Sequence, residues 1–280
     1  MLNRSLLFVP ADKEKMLLKI NQLAADIILI DLEDAIAIDD KPSGRDLIRK
    51  HIDQWKKPVF IRVNSIETNA FQEDMLLLKQ LSHSGALQGV MLPKSSSEKD
   101  IKTLAKYLEA AGQVAKLRII PLIESALGVK NAYEIAAADP RVTRLAFGGV
   151  DFTNDIGAEV TTDETELLYA RSEIIVSSRC ADIGQPIDTV YTDFKNSEGF
   201  SKNCAFARSL GFGGKLLIHP AQIEMANTAF VPTAEEMAFA KRLIAQAVKE
   251  KGAFQLDGKM IDKPIIDKAQ RILDAYESSK

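Results

Sequence analysis

The feature that most constrains this chain is a recurrence of short, almost continuous apolar runs, each followed by a longer segment whose apolar residues repeat with helical spacing. The runs fall at 5–9, 27–32, 59–63, 89–92, 118–123, 144–147, 187–191 and 215–218. Unbroken apolar character is what parallel strands require when helices cover both faces of a sheet. The segments 14–24, 71–81, 98–111, 164–181 and 199–210 supply that cover. Eight such units predict an α/β chain folded as a (β/α)8 TIM barrel in preference to an open doubly wound sheet.

The 280 residues leave room for little else. Residues 1–231 are expected to form the barrel and 232–280 a C-terminal helical arm or lid. Segment 220–230 reads as the eighth helix, 231–233 as a break, and 234–251 as a helix. Thr233 is placed to cap it, with Glu236 completing a capping box. A polar, glycine-bearing stretch at 252–263 then leads through Pro264 into a last helix ending near Tyr276.

With 36 basic against 39 acidic residues and a formal charge of −3, no electrostatic footprint for nucleic acid or an anionic membrane is present. No apolar run reaches the roughly 20 residues of a membrane span, and no secretory cleavage pattern follows the first strand, so a cytoplasmic protein with a small-molecule partner is expected. Cys180 and Cys204 lie far apart in helical segments without metal-like spacing, and are read as free thiols.

In such a barrel, reactive groups come from the C-terminal ends of the strands. The second run closes on Asp31, Glu33 and Asp34, the third on Arg62 and Asn64, the fourth on Lys94, the fifth on Glu124, the sixth on Asp151 and the seventh on Asp193. Asp34 and Asp193 read equally well as helix caps. Glu124 and Asp151 each follow a strongly apolar strand, and Gly148-Gly149 allows close backbone approach to a ligand. Two carboxylates from different strands, with room for water and a chelating substrate, suit Mg²⁺, and Mn²⁺ fits the same ligands.

Arg62 ends an apolar strand, where its planar fork suits a carboxylate or thioester oxygen, a salt bridge to a rim acid being the structural alternative. Lys94 could form a Schiff base as in a class I aldolase. The surrounding carboxylates favour a protonated amine instead, with an electrostatic or salt-bridging role. His219 is open to a ligand contact or a structural hydrogen bond, whereas His51 and His83 read as surface residues.

The blocks RSLLFVPA (4–11), DLEDAI (31–36), RVN (62–64), GVMLPK (89–94), IPLIES (120–125), FGGVDF (147–152), DTVYTD (188–193), GFGGKLLIHPAQI (211–223) and GKMID (258–262) resemble, in order, those of the citrate lyase β-subunit-like family, which includes malyl-CoA and citramalyl-CoA lyases. The resemblance implies a Mg²⁺-dependent carbon–carbon lyase in which Glu124 and Asp151 hold the metal, Arg62 contacts substrate, and Asp31, Glu33 and Asp34 line the metal's water shell. It also implies that the arm closes over a neighbouring subunit's site and brings Asp262 to the reacting carbon, in a homotrimer or dimer of trimers. The segment containing His219 resembles the one beside the family's CoA cleft.

The expected substrate is a 3-hydroxy-3-carboxyacyl-CoA, first (S)-citramalyl-CoA, cleaved to acetyl-CoA and pyruvate. Malyl-CoA or methylmalyl-CoA comes second, and a citryl thioester on an acyl carrier protein, as in a citrate lyase complex, third. A scaffold or regulatory subunit of an acyl-carrier assembly is the non-enzymatic alternative.

Overall fold

The computed structural model describes residues 3–81, 83–110, 116–250 and 252–277. Eight parallel strands close into a barrel in sequence order: β1 Ser5–Pro10, β2 Ile27–Asp31, β3 Val59–Arg62, β4 Leu87–Leu92, β5 Arg118–Ile123, β6 Ala146–Phe147, β7 Ile187–Asp188 and β8 Gly214–Leu217. β8 pairs back onto β1 through Ser5 opposite Lys215 and Leu6 opposite Leu216, which completes the closure the sequence predicts. Leu6, Ile27, Leu29, Phe60, Met91, Ile120, Leu122, Ala146, Ile187 and Leu216 fill the interior as one buried cluster. Alternate residues such as Leu7, Ile28, Ile30 and Ile61 are buried as well. Burial on both faces is why the strands read as unbroken apolar runs.

The barrel helices are α1 Glu14–Leu17, α2 Lys41–His51, α3 Asn69–Gln80, α4 Glu98–Ala110, α5 Ala126–Lys130, α6 Ala132–Ala137, α7 Gly149–Ile156, α8 Leu168–Cys180, α9 Ser197–Leu210 and α10 Ile223–Ala229. The helix expected over 14–24 is broken into α1 and a 3₁₀ turn at Ile20–Gln22. Leu17 and Ile20 are the buried positions between 14 and 22, and Met16 and Leu18 are exposed, too narrow an apolar stripe to hold a long amphipathic helix against the barrel. The helix expected from 164 starts later because Glu164 adopts a left-handed conformation, with φ 50°. The expected end at Ala111 lies outside the described residues.

Behind β7 and β8, between barrel and helices, Asp188, Lys215 and Arg171 are wholly buried. Lys215 Nζ lies 2.7 Å and Arg171 Nε 2.9 Å from the Asp188 carboxylate, and Arg171 Nη2 lies 2.6 Å from Glu164. Two buried cations hold the Asp188 carboxyl below its ordinary range against the effect of burial, which alone would raise it.

A second compact unit begins at Phe230. Thr233 caps α11 Ala234–Ala247 with the capping box expected of Thr233 and Glu236, and the expected helix end at Lys251 lies outside the described residues. The stretch read as polar connection contains a hairpin, β9 Phe254–Leu256 and β10 Lys259–Ile261, turning on Asp257 (φ 51°) and Gly258 (φ 75°). An Asp-Gly pair with both residues at positive φ matches a two-residue type I′ turn, a local signal that the surrounding polarity masks. α12 Lys263–Glu277 completes the unit, whose core is Ala240, Leu243, Ile261 and Ala269.

Candidate active site

The closed barrel brings the polar strand ends of β2 to β6 to one rim. The turn after β2 is organised from within by Asp31, whose Oδ1 accepts from Glu33 N at 2.9 Å and whose Oδ2 accepts from Ala35 N at 3.3 Å. Arg62, at the end of the adjacent β3, donates Nε to Asp31 Oδ1 at 2.7 Å and Nη2 to Oδ2 at 2.5 Å. Its Nη1 lies 3.1 Å from Glu33 Oε2, and its guanidinium stacks 4.7 Å above the Phe8 ring. Burial alone would weaken this cation. The hydrogen bonds and charge of Asp31, then Glu33 and Glu124, hold its pKa above the ordinary value. The salt bridge that Arg62 offers as its structural alternative is therefore present, with a planar donor fixed at the mouth of the barrel.

Glu33 is 4% exposed, and neither of its carboxylate oxygens is in hydrogen-bonding geometry with a partner. Two off-axis ionic contacts balance it, Arg62 Nη1 on Oε2 and Lys94 Nζ at 3.2 Å from Oε1. Burial raises the Glu33 pKa, with Arg62 opposing and Asp34 adding to the effect. Burial would lower the Lys94 pKa, but Glu33 raises it. That keeps Lys94 an ammonium, which disfavours a Schiff base and fits the electrostatic role.

Lys94 also acts through its backbone. Held at φ 53°, it points its N–H at Glu124 Oε1, 2.6 Å away. The Glu124 carboxyl is pushed up to about 8, chiefly by burial; the Lys94 N–H opposes this, and the charges of Glu33 and Asp151 add to it. Asp151 lies in the first turn of α7, immediately after β6. The chain reaches it through Gly148, where a Cβ would fall 2.6 Å from Glu124 Cβ and 2.8 Å from Oε2. Gly149 N then donates to Thr189 Oγ1 at 2.8 Å. Backbone that only glycine permits is packed directly on the Glu124 carboxylate.

Among the described residues, no three acidic, histidine or cysteine side chains form a metal cage. A buried carboxylate opposed by two further acids is nonetheless a site that a divalent cation would relieve. Mg²⁺ is ordinarily held by one or two carboxylates with water and substrate oxygens completing its octahedron. The donor set of Glu124 and Asp151 fits that requirement.

Other expected residues are placed differently. Asp34 and Asp193 are exposed and cap no helix: α2 is preceded by Asp40, and α9 is capped by Asn196, which accepts from Gly199 N. His219, at the β8 rim, accepts from Ala221 N at 3.2 Å and stacks on Phe194 with ring centroids 4.6 Å apart, so its structural role is present. His83 is exposed as expected, but His51 is buried, with Nε2 2.7 Å from Glu14 Oε1, because α2 turns its last residue against α1. Asp262 belongs to the second unit, where it is exposed and accepts from Ile265 N at 3.3 Å at the start of α12. Lys41 and Asp74, which tie the β2 and β3 rim loops, escape a reading confined to strand ends, since both come from helices.

These features define the class: a (β/α)8-barrel enzyme whose site is built on the C-terminal ends of its strands. HpcH/HpaI aldolase/citrate lyase matches residues 4–220, and the chain belongs to this family of lyases. It is 36% identical to the citrate lyase subunit beta of Haemophilus influenzae, covering 99% of this chain and 98% of that protein. It is 32% identical to the mitochondrial citramalyl-CoA lyase of Rattus norvegicus, covering 99% and 87%. The crystal structure of CitE from Mycobacterium tuberculosis in complex with magnesium, acetoacetate and coenzyme A superposes with a TM-score of 0.82 at 29% identity, covering 99% and 98% of the two chains. Among the described residues no helix is long and apolar enough to cross a membrane.

Proposed function

We propose that this chain is a Mg²⁺-dependent lyase that cleaves a 3-hydroxy-3-carboxyacyl-CoA by a retro-aldol, Claisen-type reaction, with (S)-citramalyl-CoA as substrate and acetyl-CoA and pyruvate as products. The observation that carries this reading is the buried Glu124 carboxylate at the barrel rim, held by the Lys94 N–H at 2.6 Å and covered by the Gly148 backbone that leads to Asp151. Glu124 and Asp151 are the residues that would hold the metal. When bound, it supplies Lewis acidity toward the substrate's hydroxyl and adjacent carboxylate.

In the reaction, the hydroxyl loses its proton and the bond between the carbinol carbon and the thioester's α-carbon breaks. The former becomes the ketone of pyruvate, and the bond's electron pair passes to the thioester as an enolate. We assign the hydroxyl proton to Glu33, the rim carboxylate ion-paired with Arg62 and Lys94 at 3.1 and 3.2 Å. Arg62, already oriented by Asp31 and Phe8, stabilises the enolate oxygen. Asp262 returns a proton to the enolate carbon, which yields acetyl-CoA. That role goes with a homotrimer or dimer of trimers in which the C-terminal unit serves as a lid.

The match to a mitochondrial citramalyl-CoA lyase over 99% of this chain supports the citramalyl reading. The nearly full-length match to a citrate lyase subunit beta supports a second reading, a citryl thioester presented by an acyl carrier protein. Steady-state rates with citramalyl-CoA, malyl-CoA and citryl-CoA decide between them. The kcat/KM for citramalyl-CoA should exceed the others by at least tenfold, and a preference for citryl-CoA would overturn the citramalyl reading.

A further inference from the structure

One side chain outside the acids and cations of the rim binds two of its loops at once. Lys41, the half-buried first residue of α2, donates Nζ to the carbonyls of Leu32 and Glu33, each at 3.1 Å, and to Asn64 Oδ1. An ammonium carries three donors, so these three acceptors use it fully. A lysine with only a surface role would extend its amine into water. Here all three acceptors belong to the loops that follow β2 and β3.

The far side of this junction is anchored too. Asn64 donates both N and Nδ2 to Asp74 Oδ2 at 2.7 Å, and Asp74 Oδ1 accepts from Arg45 Nε at 2.8 Å. Arg45 lies four residues beyond Lys41, so one face of α2 holds both ends of the chain of contacts. With the Leu32 and Glu33 carbonyls turned to Lys41, the Glu33 side chain is left facing Arg62 and Lys94.

We propose that Lys41 is a positioning residue of the site: it locks the β2 and β3 rim loops together and thereby holds the Glu33 carboxylate between Arg62 and Lys94. This rests on the barrel rim being the reactive site, but its first test needs no substrate. Hydrogen–deuterium exchange of Lys41→Met should run at least tenfold faster than wild type in both segments 32–36 and 63–66, with segment 118–126 unchanged. Lys41→Gln replaces it if the methionine variant does not accumulate folded.

A Lys41→Cys variant in a Cys180→Ser background, alkylated with 2-bromoethylamine, regains an ammonium and should regain protection in both segments. Cys204 is buried with its thiol pushed up to about 12, so it stays unalkylated. With citramalyl-CoA, kcat of Lys41→Met should fall 10- to 100-fold with KM within threefold, and alkylation should restore it. Wild-type exchange in either segment, or alkylation that fails to restore protection, overturns the proposal. Failure of the citramalyl-CoA assay alone would count against the substrate reading and leave the exchange result to decide the role of Lys41.

Discussion

Asp31 accepts both Nε and Nη2 of Arg62, at 2.7 and 2.5 Å, while the same carboxylate caps the Glu33 and Ala35 amides. One acid therefore sets both the aim of the guanidinium and the fold of the turn carrying Glu33. Arg62→Lys keeps the charge but loses the fork. It is expected to lower kcat/KM by about 100-fold or more, the scale of losing one preorganised oxyanion donor. Asp31→Ala leaves Arg62 with only its ionic contact to Glu33 and leaves two amides unpaired, and should destabilise the protein by about 3 kcal/mol. Steady-state kinetics of the first variant and urea unfolding of the second check these two roles separately.

The Glu124 carboxyl makes metal-free stability depend on pH. Its folded-state value of about 8 lies above the ordinary 4.5, so between these values the native protein holds the proton that the unfolded chain has released. The contribution is fully present below about pH 4.5 and is lost as pH rises through about 8. The stability difference between wild type and Glu124→Gln, measured by urea unfolding with EDTA, should move against wild type across that window, by at most about 1.4 kcal/mol per pH unit. Mg²⁺ should restore wild type most at the alkaline end, where the carboxylate is free to bind it, and leave the variant unchanged.

Gly148 is a steric test of the same carboxylate. Gly148→Ala puts a Cβ within 3 Å of Glu124 Cβ and Oε2, whereas Gly85→Ala meets nothing within 4 Å. Gly148→Ala should weaken Mg²⁺ binding by tenfold or more by calorimetry, and Gly85→Ala should match wild type.

Asp262 caps α12, and asparagine caps a helix as well as aspartate does. Asp262→Asn should therefore keep the wild-type melting temperature while losing roughly 100- to 10,000-fold in kcat, the range of a positioned general acid. Near-wild-type turnover would remove Asp262 from the chemistry.

The barrel was legible in the sequence because burial on both strand faces leaves a signal that needs no partner to interpret, and the ends of β2 to β6 named the rim from Asp31 to Asp151. Local chemistry hid the rest. Glu164 in a left-handed conformation shortens a helix whose apolar spacing runs on, and Asp257-Gly258 turns a hairpin inside a polar stretch. The Lys41–Asn64–Asp74 junction is built across strand and helix, so no single segment carries its pattern. His51 looks like a surface residue until α1 is folded against it.

The most direct test of the central claim is pyruvate formation from racemic citramalyl-CoA by the purified protein with Mg²⁺, followed through lactate dehydrogenase, beside reactions with EDTA and with Glu124→Ala. A Mg²⁺-dependent citramalyl-CoA lyase should release pyruvate rapidly, and both controls should abolish the release. Pyruvate release that persists in EDTA, or in Glu124→Ala, would contradict that assignment, as would a wild-type enzyme that leaves citramalyl-CoA intact.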